Sequence, residues 1–199
     1  MNYCPRCGTP LAARPDGGRP RQACPAEGCG FIHYGEHSIG TGAVVVRGER
    51  VLLIERRTAD RVWWQIPGGF VEVDEPIDAA IEREVLEETG VTARVIDVLG
   101  FRHAPALQPP RVPSSIYAVS NIYVVFRLEA LAGEPRPDGE ESFDACFLTR
   151  AEIEQRPGVS AMSLWAARKV WDGEATRGFH REPEIPGLQR PGHTLFGRT

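Results

Sequence analysis

Residues 69–91, GFVEVDEPIDAAIEREVLEETGV, decide the fold. A glycine-bearing loop leads through Glu75 and Pro76 into a helix that ends at Gly90. Proline suits the first helical turn, where its missing N–H has no partner to lose, and glycine suits the left-handed residue that stops a helix. At about 100° per residue, Ile77, Ala80, Glu84, Glu87 and Glu88 fall on one arc while Glu82 points elsewhere, so the inward face begins apolar and ends acidic. Glu84 and Glu88 are like charges one turn apart with Glu87 beside them, and each repulsion costs about 0.2–0.5 kcal/mol even in water. A solvated acidic face, with Arg83 paired to Glu87, is the ordinary reading of such a run. Here, however, the carboxylates use the same arc as the apolar residues, with no comparable basic cluster nearby in the sequence. Three convergent carboxylates suit Mg²⁺, a hard ion that takes oxygen ligands, keeps several waters and bridges to phosphates.

The residues Gly69, Glu75, Arg83-Glu84-Val85, Glu87-Glu88 and Gly90-Val91 stand in the order G-x5-E-x7-R-E-U-x-E-E-x-G-U, where U is aliphatic. This resembles the Nudix box at every fixed position. The resemblance implies an α/β (α+β) fold, an αβα sandwich with a mixed central sheet holding a loop-helix-loop. It also implies metal-dependent hydrolysis of a nucleoside diphosphate linked to another group. Carried onto this chain, it makes Glu84, Glu87 and Glu88 the ligands of Mg²⁺ or Mn²⁺, with the Gly69 carbonyl as a helper, and Arg83 and Glu75 the pair that fixes loop to helix.

Outward from the box, 199 residues suffice for one domain with a sizeable core and a small appendage. A net charge of −4 argues against a broad non-specific nucleic-acid or membrane surface. The opening MNYCPRCGTP has no basic-then-apolar signal pattern, and runs such as Ala43 to Val46 and Ile122 to Phe126 are too short to span a bilayer. The expectation is a cytoplasmic protein.

Four of the five cysteines form two knuckles, Cys4-Pro-Arg-Cys7-Gly8 and Cys24-Pro-Ala-Glu-Gly-Cys29-Gly30. Without an export signal, disulfides are the less expected use. Four soft thiolates suit a tetrahedral structural Zn²⁺ with no open position for chemistry. Ordinary free thiols, or a site in which His33 or His37 replaces a cysteine, remain the alternatives. Residues 1–35 are too few to fold on apolar burial alone, so zinc supplies the missing stabilisation. Thr9 to Ala23, rich in Arg, Pro and Gly, reads as a turn or short hairpin. A zinc ribbon running through His33-Tyr34 into such a domain is similar to a subset of the Nudix family that cleaves NADH, ADP-ribose or flavin dinucleotide. The resemblance thus covers about residues 1–155. The expected division is a ribbon at 1–35, a hydrolase domain at 36–173 and a Gly/Pro/Arg-rich tail at 174–199.

Ile39 to Arg47 and Arg50 to Glu55 read as strands of a central hairpin about Arg47-Gly48-Glu49. Arg56 and Arg57 follow, either solvated or meeting substrate phosphate. Of Trp63 and Trp64 one belongs in the core and the other reaches the site, and Trp64 is taken as the substrate contact. Thr92 to Phe101 reads as a strand, Arg102 to Ser115 as a proline-rich loop, and Ile116 to Leu131 as a long strand region. NADH-cleaving relatives carry S-Q-P-W-P-F-P-x-S downstream of the box. Leu107 to Ser115, LQPPRVPSS, keeps Gln108, Pro109, Pro113 and Ser115 but lacks the Trp and Phe, which lowers the NADH reading. In Asp138 to Phe147, Glu141 and Asp144 take the positions where the family often has a further metal ligand or general base, set against a plain polar turn. Cys146 reads as a small buried hydrophobe. Thr149 and Glu152 form a capping-box start, and Ala161 to Trp171 an amphipathic helix.

The residues expected at the site are Glu88, Arg83 and Glu141 in catalysis and Arg56, Arg57 and Trp64 on a small-molecule nucleotide substrate. The four cysteines are expected on zinc. ADP-ribose or a related dinucleotide is the expected substrate, NADH or an NAD cap the alternative. A reading from another class is a nucleotide-sensing regulator whose ribbon binds nucleic acid through Arg6, Arg14, Arg19 and Arg21. Homodimers are common in the family.

Overall fold

The computed structural model describes residues 1–106, 119–173, 179–183 and 194–198 of the chain. Leu107 to Ser115, with its partial likeness to the NADH motif, lies outside the described residues. The chain divides into two units, Met1–Glu36 and His37–Thr199.

In the first unit β1 (Ala12–Asp16) and β2 (Arg19–Ala23) pair antiparallel, and β3 (Ile32–His33) joins the free edge of β2. The hairpin turn is Gly17-Gly18, both at positive φ, the conformation that lets a two-residue turn follow the strand twist. The strands expose most of their side chains, so the unit has little apolar core of its own.

The second unit follows the order β4 (His37–Arg47), β5 (Arg50–Thr58), β6 (Arg61–Gln65), α1 (Ile77–Thr89), β7 (Thr92–Ala104), β8 (Ser120–Ala132), β9 (Asp144–Leu148), α2 (Arg150–Gln155), α3 (Ala161–Trp171), β10 (Phe179–Arg181) and β11 (Thr194–Arg198). The sheet runs β10-β11-β7-β8-β4-β5-β6, with β9 on β5. It is mixed because β4 and β8 are parallel while the other pairs are antiparallel. Strand alternation sorts the core into two layers. Ala43, Val45, Leu52 and Phe126 pack with Ile81 and Val85 of α1. Val44, Val51, Leu53 and Val125 pack on the other face with Ile153 of α2 and Trp165 of α3. This is the αβα sandwich.

The expected hairpin between β4 and β5 forms only at its tip, Val46↔Val51 and Arg47↔Arg50. Beyond it the strands part, because β5 is already paired on both edges, with β6 and β9. The segment between β6 and α1 fills the gap: Ala43 N–H donates to the Pro67 carbonyl, Thr41 N–H to Gly69 and Val71 N–H to Ile39, at 2.8–3.0 Å. Gly68, at φ 152°, presses so close to Thr41 and Gly42 that a side chain there would overlap their backbone.

The expectation of a C-terminal tail is also corrected. β11 extends the sheet against β7, Leu195 is 0% exposed in the core beside α3, and Phe196 stacks on Phe101 with ring centroids 4.9 Å apart. Residues 194–198 are held by β7, some ninety residues earlier, and 179–181 are held in turn by β11, so neither short segment is marked by its own sequence. Among the described residues no helix is long and apolar enough to cross a membrane.

If the last strand is structural, Leu195→Ala should destabilise the protein by about 2–4 kcal/mol, the range for a buried leucine lost from a core. Urea denaturation would read this, and an unchanged midpoint would return residues 194–198 to the status of a tail.

Candidate active site

The site starts from the ends of α1. Pro76 occupies the N-cap rather than the first turn, and Gly90, at φ 67°, closes the helix with its N–H on the Leu86 carbonyl. The buried stripe is Ala80, Ile81, Val85, Glu88 and Thr89, so the acidic half-turn is divided: Glu88 is 2% exposed, Glu84 half-buried and Glu87 exposed. Glu87 therefore lies at the rim, not on the inward arc. Glu82, off that arc as expected, accepts the Val95 N–H at 2.8 Å.

Glu88 reaches into the gap between β4 and β5. Its Oε2 accepts the Gly68 N–H at 2.7 Å and its Oε1 is paired with Arg56. Burial pushes its pKa up to about 7, helped by Glu84 and Glu141 and opposed by Arg56 and the Gly68 N–H. Glu84 is likewise raised, first by burial and then by Glu87 and Glu141, against the pull of Arg83. Its carboxylate lies where a Gly69 side chain would be, which is the reason for glycine at that position. The Gly69 carbonyl accepts the Thr41 N–H at 2.8 Å, and Thr41 Oγ1 approaches it weakly at 3.5 Å.

Two arginines organise these acids: Arg83, already expected on Glu75 and Glu87, and Arg56, brought in from β5. Arg83 forks onto Glu75 at 2.7 and 3.0 Å, and its other donor reaches Glu84 and Glu87, both at 2.9 Å. The fork holds the Glu75 carboxyl down at about 2. It ties the loop to the helix, with a further contact to the Phe70 carbonyl at 3.3 Å. Arg56 joins Glu88 to Glu141, whose Oε2 it meets at 2.7 Å and whose carbonyl at 2.8 Å.

The strand period explains which expected residues fail to arrive. Arg56 shares the α1 face of β5 with Leu52, so Arg57 must point the other way, where it pairs with Glu55 and lies over the Phe143 ring. Trp64 is 7% exposed and packs with Leu53 on the α3 face. As a core residue it is withdrawn as the substrate contact. Asp144 turns its carboxylate to the next residue's N–H. Cys146 is half-buried against the core, with its thiol pKa raised by burial.

Sequence reasoning missed the pair that sets the Glu141 loop. Ser142, fully buried, donates to the Glu88 carbonyl at 2.6 Å. One Asp138 oxygen accepts the N–H groups of Glu140, Glu141 and Ser142 at 2.8–2.9 Å. Burial works against ionised Asp138, but those N–H groups outweigh it and hold its pKa down. An Asp four residues before a Ser was the only signal, and it is that of any Asx turn.

Among the described residues, only the four cysteines bring three or more candidate ligand atoms within 4.8 Å of one another. Their sulfurs stand 3.5, 3.6 and 3.8 Å apart in the closest pairs. A zinc tetrahedron with bonds of about 2.3 Å has edges of about 3.8 Å, so the cluster fits zinc and is far too open for disulfides. Neither His33 nor His37 is in it. The glutamates are more widely spread, held by their arginines. Their donors are all hard oxygens, and Mg²⁺ keeps most of its water and needs only one or two carboxylates, so the set fits that ion.

Residues 36–168 match the family described as NUDIX domain, and residues 2–35 the zinc-ribbon family described as Nudix N-terminal. An NAD-capped RNA hydrolase NudC of Stutzerimonas stutzeri is 30% identical over 186 residues, 93% of this chain and 60% of that protein. An ADP-ribose pyrophosphatase of Methanocaldococcus jannaschii is 30% identical over 115 residues, 57% of this chain and 63% of that one. The chain thus spans about three-fifths of the length of these relatives. The crystal structure of a NUDIX hydrolase from Nitrosomonas europaea superposes with a TM-score of 0.65 over 87% of this chain and 94% of its own, at 23% identity, a likeness of fold.

The raised Glu88 pKa fixes a pH dependence. The folded protein holds this proton more tightly than the unfolded chain, so the stability it contributes is complete below the ordinary value of 4.5 and is lost as pH rises to about 7. Without added magnesium, the protein should lose on the order of 3 kcal/mol between pH 4.5 and 8 from this group. Glu88→Gln should flatten the loss, and Mg²⁺ at pH 8 should offset it. Thermal denaturation across that range, with and without the ion, would check all three.

Proposed function

The chain belongs to the Nudix family, and from that premise we propose that it hydrolyses the pyrophosphate bond of a nucleoside diphosphate joined to a second group. ADP-ribose is the foremost substrate, giving AMP and ribose 5-phosphate. The observation that carries the reading is the buried Glu88 carboxylate, set with Glu84 against a glycine loop as a group of hard oxygen donors. Glu84, Glu87, Glu88 and the Gly69 carbonyl would hold Mg²⁺ or Mn²⁺. The bound ion supplies neutralisation of the diphosphate and a more acidic attacking water.

The chain's own groups do the rest. Arg83 and Glu75 keep the glycine loop at the helix, so that Gly69 and Glu84 stay in register. Arg56 lies between Glu88 and Glu141, where its fixed donors would also meet a substrate phosphate. Glu141 accepts the proton of the attacking water. Its side chain is 68% exposed and uses one oxygen on Arg56, whereas both oxygens of Glu88 are engaged within the protein.

A second reading, NADH or NAD-capped RNA, is favoured by relatives that match ribbon and hydrolase domain together, the Stutzerimonas stutzeri protein among them. The regulator reading has less support. Of the ribbon's arginines, Arg6 donates to the Cys29 carbonyl and Arg21 pairs with Asp16 beneath Tyr34. The protein acts where divalent metal and dinucleotides meet, which suits the cytoplasm.

Purified protein with ADP-ribose, NADH, NAD-capped RNA, flavin dinucleotide and a nucleoside triphosphate, each with Mg²⁺ or Mn²⁺, should release AMP fastest from ADP-ribose and release nothing in EDTA. Faster cleavage of capped RNA would select the second reading, and salt-sensitive RNA binding without product would select the regulator. Glu141→Gln should lower kcat about 10²–10⁴-fold. Glu87→Gln and Glu88→Gln should lower it further, and near wild-type turnover in Glu87→Gln would remove that residue from the metal.

A further inference from the structure

Away from the acidic group, a row of residues crosses the sheet. Arg102 on β7 stands opposite Tyr123 on β8, Tyr123 opposite Gly40 on β4, and Gly40 opposite Phe70 of the glycine loop. The Tyr123 ring lies flat along β4. A side chain at Gly40 would meet the ring at 2.9 Å, and one at Gly42 would overlap the hydroxyl. Two glycines at alternate positions of a strand are costly unless something occupies their face, and here Tyr123 does.

Arg102 is unusual among the cations near the site. Its guanidinium lies 5.3 Å over the Tyr123 ring and one amino group donates to Asn121 Oδ1 at 3.1 Å. Asn121 is 2% exposed and anchored by Ser38 Oγ at 2.9 Å. No carboxylate among the described residues pairs with Arg102, and its Nε is buried without a hydrogen-bond partner. Arg56 and Arg83, by contrast, are each held by two or more acids. A buried guanidinium donor left without an acceptor costs free energy that a folded chain ordinarily avoids.

Resting on the reading of this site as a dinucleotide pyrophosphatase, we propose that Arg102, on the Tyr123 platform, is a specificity residue that receives oxygen acceptors from the part of the substrate beyond the scissile diphosphate. Two strand spacings, about 10 Å, separate the Arg102 and Gly40 backbones. The diphosphate is bound at the acidic end, and a ribose with its attached group extends along the row to the guanidinium. The acceptors are ribose hydroxyl or phosphate oxygens, and the arms of the test below separate these sources. Asn121 orients the guanidinium and Tyr123 supports its face.

The test uses the full zinc-loaded chain with Arg102→Lys and Arg102→Met, compared by steady-state kinetics with Mg²⁺ and by calorimetric binding with Ca²⁺ in place of Mg²⁺ and no chelator. For ADP-ribose, KM should rise roughly ten- to a hundredfold in Arg102→Met, the cost of losing a charged hydrogen bond. The magnesium activation constant and melting temperature should stay near wild type, and Arg102→Lys should recover part of the loss. Affinity for AMP and for ribose 5-phosphate, titrated separately, identifies which half Arg102 holds by which one weakens. An Arg102→Met protein with unchanged KM, or one in which kcat and melting temperature fall together with no change in KM, would overturn the proposal. Should the wild type hydrolyse no dinucleotide, the binding arm still decides: weaker ADP-ribose binding in Arg102→Met upholds the subsite while the hydrolase reading fails, and equal or undetectable binding by both proteins ends it.

Discussion

A carboxylate that is almost wholly out of water governs this molecule. Glu88 is removed from solvent by the helix that carries it and by the glycine loop it faces, and a bare ion so placed loses several kcal/mol of hydration. Three things answer that cost in the folded chain: the Gly68 N–H, the Arg56 guanidinium and a pKa pushed up to about 7. Each constrains something else. Gly68 must press onto β4 for its N–H to point at the helix. Arg56 must occupy the α1 face of β5, which sends Arg57 away. The raised pKa brings the group's loss of its proton close to neutral pH.

The divergence of β4 and β5 is the same constraint expressed in the sheet. Had the two strands paired along their length, no space would remain for residues 67–71, and the acidic half-turn would face a closed β surface. Because β5 instead pairs with β6 and β9, the sheet opens beside β4 and the loop replaces a strand there. Arg83 then makes the loop and helix one rigid piece, reading Glu75, Glu84, Glu87 and the Phe70 carbonyl with a single planar group. The Ser142–Asp138 turn does the corresponding job from the other side, holding the Glu141 loop against the end of α1. The functional groups thus come from β5, α1 and two loops, yet each is fixed by hydrogen bonds of 2.6–3.3 Å that local geometry demands.

How much of this was legible in the sequence depends on how local its cause is. Helix α1 and its glycine stop follow from spacing within two dozen residues, and the Arg83–Glu75 pair is what the family resemblance over the same stretch implies. The capping box of α2 and the cysteine knuckles follow from spacing too. The burial of Glu88 as opposed to Glu87 turned on a few tens of degrees of helix phase, which the packing of Ile81 and Val85 against β4 and β7 sets. The splay of β4 from β5 and the capture of residues 194–198 by β7 depend on competition between distant strands, and no window of sequence contains both competitors. Trp64 was misassigned for a related reason: alternation says that adjacent tryptophans face opposite ways but not which face is the core. Arg102 and Tyr123 left one trace, the glycines at 40 and 42, whose meaning appears only when the neighbouring strand is known.

The central claim is that the arginines hold a place that a divalent ion and a polyphosphate take over. A crystal structure of the protein with Mg²⁺ and a non-hydrolysable ADP-ribose analogue tests it most directly. The account predicts ions bound to carboxylate oxygens of Glu84 and Glu88 at about 2.0–2.1 Å, with Arg56 turned from Glu88 to the phosphates. An analogue bound elsewhere, with Arg56 still on Glu88 and Arg83 still on Glu84, would contradict it.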